Sequence, residues 1–233
     1  MAVLQLCGME TGNGSEFQGS GGTFSVQNTT KRTGGYALQC NPASSAAGWC
    51  SLGGYTSTGG LTNLNLTAET FFTFYFRFAS LPSAATRFVT VNGASPVMRL
   101  TCDQNGAIVM IGATTSGTVA TVVAGTWYRA DLRVTSSGTA GLKIDGGSET
   151  TITATNNTMT VLVLGRNVTT EAVALDVTFD DVLIDSAAFP GAGEVRTLRP
   201  DGDGAYTAWA SGTGTTYAEV DDDVVAQRRV GDE

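Results

Sequence analysis

The chain has no histidine. That removes Ser-His-Asp and Cys-His nucleophilic catalysis, histidine-ligated metal centres and a histidine pH switch. Acid–base chemistry would have to come from carboxylates. Two carboxylates hydrolyse a glycosidic bond when about 5–5.5 Å apart (retention) or about 6.5–9.5 Å apart (inversion). The nearest cluster is Asp176, Asp180, Asp181 and Asp185, within DVTFDDVLID. It holds no Glu, and its neighbours alternate apolar and polar as in a strand, so the acids read as bulging or ending a ladder. No catalytic residue is assigned, and the chain is not expected to be an enzyme.

Metal and phosphate chemistry fare no better. Cys7, Cys40, Cys50 and Cys102 show no CxxC spacing, which weakens zinc and redox readings. They are expected to be small thiols in strands, with a Cys40–Cys50 bridge open to a chain that ends up outside a cell. Asp201-x-Asp203-Gly204 begins like a calcium loop, but the fifth and twelfth positions are Ala205 and Gly212, where ligands are needed. Gly19-Ser20-Gly21-Gly22 precedes a strand and lacks a following Lys-Ser/Thr, so it is expected to be a flexible turn rather than a phosphate loop. No metal site or cofactor is assigned.

Aromatic side chains remain. Sugars are held by Trp or Tyr together with Asn and Asp, and Trp49 and Trp127 are the candidate carbohydrate-binding residues. A third tryptophan, Trp209, lies with Asp201, Asp203, Tyr206 and Tyr217 in an acidic segment expected to contact partner subunits. Thirteen Lys and Arg stand against 21 Asp and Glu, a net charge of −8. No basic cluster is longer than a pair such as Arg228-Arg229, so neither nucleic acid nor an anionic membrane is an expected partner. The first residues carry no basic n-region and no long apolar core, and no run approaches a membrane span. Synthesis in the cytoplasm is the expectation. The five Asn-X-Ser/Thr sequons, including Asn167, are then products of a Thr-rich composition.

The elements that must position these residues are strands. Charged residues are only 15% of the chain, while Gly reaches 30 and Thr 35 of 233 residues. That is an all-β composition. In Glu69–Phe78, residues Phe72, Phe74, Phe76 and Phe78 share one face at period 2. Burying each ring contributes about 2–3 kcal/mol, so the strand should be central and face a second sheet. Trp127–Val134 sets Tyr128, Ala130, Leu132 and Val134 against Trp127, Arg129, Asp131 and Arg133, one buried face and one polar. Further strands are expected at Val3–Cys7, Thr23–Gln27, Tyr36–Cys40, Leu61–Leu66, Arg87–Val91, Val97–Cys102, Ala107–Ile111, Val119–Val123, Ala140–Ile144, Thr150–Thr153 and Thr160–Leu164. Asn105-Gly106 between two apolar runs is a hairpin turn. In Asp176–Asp185 the apolar parity flips at Asp180-Asp181, and one extra residue there would return both halves to the core.

The order of these pieces resembles the concanavalin-A-like lectin/glucanase jelly roll in its laminin-G-like form. The pieces are an opening strand ending in Cys7-Gly8-Met9-Glu10, Arg32-Thr33-Gly34-Gly35-Tyr36-Ala37-Leu38, the Phe-rich strand, Gly125-Thr126-Trp127-Tyr128, Leu142-Lys143-Ile144-Asp145-Gly146 and Phe179-Asp180-Asp181-Val182-Leu183-Ile184. The Glu-x-Asp-x-Glu run of the glucanase branch is missing. A narrower likeness is to jelly rolls of tailed-phage particles, in Pro200-Asp201-Gly202-Asp203-Gly204, Trp209 and Val220-Asp221-Asp222.

The resulting expectation is an all-β antiparallel sandwich jelly roll over residues 1–190, with an irregular acidic C-terminal arm over 191–233. Residues 201–233 hold eight acids against two arginines. The phage resemblance implies a structural virion protein (capsid decoration, or a collar, tail or fibre part) that binds other virion proteins and copies of itself. A lectin-like module for surface glycans is the alternative, and a glycoside hydrolase is third.

Overall fold

The computed structural model describes residues 3–53, 69–93, 96–155, 159–197 and 226–230. Two antiparallel sheets face each other across one core. The first holds β1 (Val3–Cys7), β3 (Phe24–Gln27), β4 (Ala37–Cys40), β6 (Glu69–Phe78), β11 (Tyr128–Thr135), β12 (Thr139–Ile144), β13 (Thr150–Thr153) and β15 (Val177–Asp185). The second holds β2 (Gly19–Gly22), β5 (Gly48–Leu52), β7 (Thr86–Asn92), β8 (Pro96–Cys102), β9 (Ala107–Ile111), β10 (Ser116–Thr121) and β14 (Val161–Arg166). Their orders are β13-β12-β11-β6-β15-β4-β3, with β1 also on β15, and β10-β9-β8-β7-β14-β5-β2.

The Phe-rich strand is central, as its spacing requires. Phe72, Phe74, Phe76 and Phe78 are no more than 1% exposed. Phe76 and Phe78 meet Phe88 of the opposite sheet at ring separations of 5.2 and 5.1 Å, within the range where aromatic pairs attract beyond simple burial. Ala130, Leu132 and Val134 are fully buried from β11, as its parity predicts. Gly106, at φ 75°, turns the β8–β9 hairpin. All four cysteines are free and buried, and burial pushes the Cys50 and Cys102 thiols up to about 12.

The parity flip in β15 is a bulge. Phe179 pairs with Phe76 and Ile184 with Phe72, and the register shifts between Asp180 and Leu183. Asp181 takes a left-handed φ of 49°, which absorbs the extra residue, and Val177, Phe179, Val182 and Ile184 all reach the core. The bulge also marks a change of neighbour. The first half of β15 pairs with β4 and the second half with β1.

Several elements differ from the sequence expectation. Gly19–Gly22 is a strand, paired with β5 from Gly19↔Ser51 to Gly22↔Gly48, and not a flexible turn. Its glycines leave room for the neighbouring Trp49, whose ring lies close to Gly19 and Gly21. The tenth strand begins at Ser116, ahead of the apolar residues that suggested it. Two more strands, β16 (Gly193–Thr197) and β17 (Ala226–Val230), pair antiparallel within the stretch expected to be irregular. Val195 is 4% exposed, and β16 lies against β15. The expected strand at Leu61–Leu66 falls outside the described residues.

Candidate functional site

The acid cluster resolves into structural parts. Asp180 and Asp181 are fully buried on the outer side of the first sheet. The Asp180 carboxylate accepts the backbone N–H groups of Arg32, Thr33 and Asp181. Asp181 accepts the Thr33 hydroxyl, the Val195 N–H and an Arg32 guanidinium N–H at 2.7 Å. The same guanidinium donates to the Gly193 carbonyl and lies 3.5 Å from the centre of the Tyr75 ring. These contacts fasten both the loop before β4 and strand β16 to the bulge. Burial and the Asp181 charge push Asp180 up to about 7, against the pull of its three N–H donors. Asp176 accepts from the Gln39 amide and Asp185 from the Ala187 N–H. Each acid of the cluster accepts at least one hydrogen bond that holds the chain, and the second oxygen of Asp185 is buried without a partner.

The second sheet carries a half-open groove on its outer face, with a volume of about 400 Å³. Five strands, β2, β5, β14, β7 and β8, contribute to it. In β5, Cys50 and Leu52 point inward, so Trp49 and Ser51 point out. In β14 and β7 the same alternation places Val161, Val163, Thr90 and Asn92 on the groove side. Both cross-strand partners of Trp49 are glycines, Gly21 of β2 and Gly165 of β14. A Cβ at Gly21 would sit 2.9 Å from the indole Nε1, and one at Gly19 would sit 3.6 Å from the same ring. The indole thus lies against bare backbone, half-buried, at one end of the groove.

The polar groups of the groove are uneven in their bonding. Arg87 is neutralised by Glu171, with Nε to Oε1 at 2.6 Å. Burial opposes the Glu171 charge, but the Thr86 hydroxyl and Arg87 hold its carboxyl below the usual range. Two lining groups are left over. The Thr90 hydroxyl and the Asn167 side-chain carbonyl oxygen are buried without a hydrogen-bond partner. A buried polar atom left so costs about 1–3 kcal/mol, which a ligand hydroxyl or an ordered water would recover. No described lining residue is a carboxylate.

Of the candidates named from sequence, Trp49 lies in this groove. Trp127 is half-buried just before β11 on the other sheet, so the two tryptophans do not share a surface. Asp201, Asp203, Tyr206, Trp209 and Tyr217 lie outside the described residues. Thr90, Asn167 and the β2 glycines were not singled out as site residues. Turn-like glycines facing a tryptophan across a sheet leave no trace in linear spacing.

No family model and no curated protein matches the chain. Solved structures do. A cellulose induced protein, Cip1, superposes with a TM-score of 0.55 at 14% identity, over 78% of this chain and 97% of that one. Trypanosoma rangeli sialidase gives 0.55 at 15% identity, over 79% of this chain but 30% of its own. Another sialidase gives 0.53 at 12% identity, over 80% of this chain and 18% of that one. The chain therefore spans less than a third of either sialidase. At these identities the likeness is one of fold: a jelly-roll-like β-sandwich of the architecture found in Cip1 and in part of the sialidases.

Proposed function

We propose that the chain is a non-catalytic carbohydrate-binding β-sandwich, and that the glycan lies over the groove beside Trp49. The observation that carries this reading is an indole packed against glycine backbone in a groove that also holds two buried, unpartnered polar oxygens. A pyranose has an apolar C–H face for the ring and a rim of hydroxyls for Thr90, Asn167, Ser51 and Asn92. The lack of a carboxylate among the described lining residues supports binding without hydrolysis, because paired acids are what glycosidic cleavage needs. Tryptophan fluorescence titration of the full chain against a broad glycan panel tests it. Saturable shifts that Trp49→Ala abolishes and Trp127→Ala retains are expected. A panel without any shift overturns the reading.

A second reading places this module on a tailed-phage particle as a structural or attachment protein. It is supported by the order of motifs noted in the sequence and by the fastening of β16 to the bulge of β15. Mass spectrometry of density-purified particles tests it. Stoichiometric, salt-resistant presence is expected, and absence from particles overturns it.

A further inference from the structure

Among the described lysine and arginine side chains, Arg99 alone has no partner. Arg32, Arg87, Arg129 and Arg133 form ion pairs. Lys31 and Arg77 donate to backbone carbonyls, Lys143 lies over the Phe189 ring, and the fully buried Arg166 donates to the carbonyls of Ala43, Ala46 and Val173. Arg99 is half-exposed on β8 and has neither an ion pair nor a hydrogen bond. In a chain of net charge −8, a guanidinium without any partner is an exception among the described residues.

Its position ties it to the groove. Ser51, Val163, Thr90 and Arg99 stand directly opposite one another across β5, β14, β7 and β8. Cys50, Leu52, Leu162, Leu164, Val89, Val91, Met98 and Leu100 take the inward places, so the four form one row on the outer face. In-register neighbours on one face are close enough to touch the same ligand. Thr90, with its unpartnered hydroxyl, is the neighbour of Arg99. From β5 to β8 the row spans about 14 Å, the length of a short oligosaccharide laid across the strands.

We infer that Arg99 and Thr90 form an anion subsite, so that the groove selects acidic oligosaccharides whose uronate or sulfate reaches Arg99 while another sugar covers Trp49. This rests on the carbohydrate reading above. The guanidinium supplies a charged donor fork suited to carboxylate or sulfate, and the Thr90 hydroxyl supplies a further donor. Arg87 does not serve, because Glu171 already cancels its charge.

The test is titration of the full chain with an oligogalacturonate, a sulfated oligosaccharide and a neutral oligosaccharide of similar length. Arg99→Gln keeps an unbranched polar side chain and removes the charge at a half-exposed site, with folding checked by thermal unfolding. The expected result is that acidic ligands bind more tightly than the neutral one. Arg99→Gln then weakens acidic ligands by about tenfold and leaves the neutral ligand unchanged, while Arg99→Lys recovers part of the loss. The two acidic ligands distinguish carboxylate from sulfate. Equal affinity for acidic and neutral ligands, or acidic binding indifferent to Arg99→Gln, overturns the anion subsite and leaves the carbohydrate reading standing. Failure of all three, in a panel where nothing else binds, overturns that reading itself.

Discussion

The outer faces of the two sheets solve the same problem in opposite ways. On the first sheet, most polar side chains pair with each other, and one Asp185 carboxylate oxygen is the atom left buried without a partner among the described residues. Arg133 bridges Glu69 and Glu149, and Arg129 holds Asp131, which also accepts from Thr73. Arg32, Thr33 and Val195 close over the two buried aspartates. Phe189 packs on Phe71 at 4.9 Å. On the second sheet the outer face has few charges, two orphan oxygens and a tryptophan laid over glycines. Where polar groups satisfy each other, a surface contributes to stability; where they are left unsatisfied, it contributes to binding.

This contrast predicts a double dissociation. The largest effect should come from Asp181→Ala, which leaves the Arg32 guanidinium and the Val195 N–H without their acceptor. Removing one partner of a buried pair costs about 3–5 kcal/mol. Urea denaturation should register that loss, while glycan affinity, measured where the variant is still folded, should be unchanged.

The next effect is one of pH. The Asp180 carboxyl is raised in the folded state to about 7 from an ordinary 3.8. Between those values the folded chain binds the proton more tightly than the unfolded chain. The associated stability is complete below about pH 4 and is lost as pH rises through 7. Denaturation at pH 5 and pH 8 should differ by about 2 kcal/mol from this group alone. Asp180→Asn should flatten that slope. A stability that rises steadily over the same interval would break the assignment.

Smaller effects test the open face. Trp49→Ala should cost less than about 1 kcal/mol of stability, since the ring rests on backbone at a half-exposed site, yet should weaken glycan binding by at least about tenfold. Gly21→Val should give an intermediate loss, because its side chain would intrude where the indole lies. If Trp49→Ala destabilises as much as Asp181→Ala, the tryptophan is a core group and the comparison fails.

The closed face was far more legible in the sequence than the open one. Period-2 runs marked β6 and β11, and the parity flip at Asp180-Asp181 located the bulge, because core burial writes itself into alternation. The bond network on the bulge was not legible, since Arg32 and Asp181 are 149 residues apart. The groove was hidden further. β2 has three glycines and only Ser20 beside them, and β5 (Gly48–Leu52) mixes Gly, Ser and Cys around its tryptophan. Trp49 was singled out by residue type alone, and the same criterion chose Trp127, which lies elsewhere. The short strands β16 and β17 carry few apolar residues and gain their order from docking and from each other.

The position of β15 has a consequence for how the chain assembles. This strand lies between β6 on one side and β4 and β1 on the other, and β14 lies between β7 and β5. Each follows every other strand of its sheet in sequence, yet lies in the middle of that sheet. Until residues 161–185 emerge, β6 lacks β15 and β7 lacks β14, so each sheet has an open ladder at its centre. Folding of this sandwich is therefore expected to be late and slow, governed by contacts distant in sequence. A chain interrupted before Val177 should aggregate rather than rest as a stable intermediate.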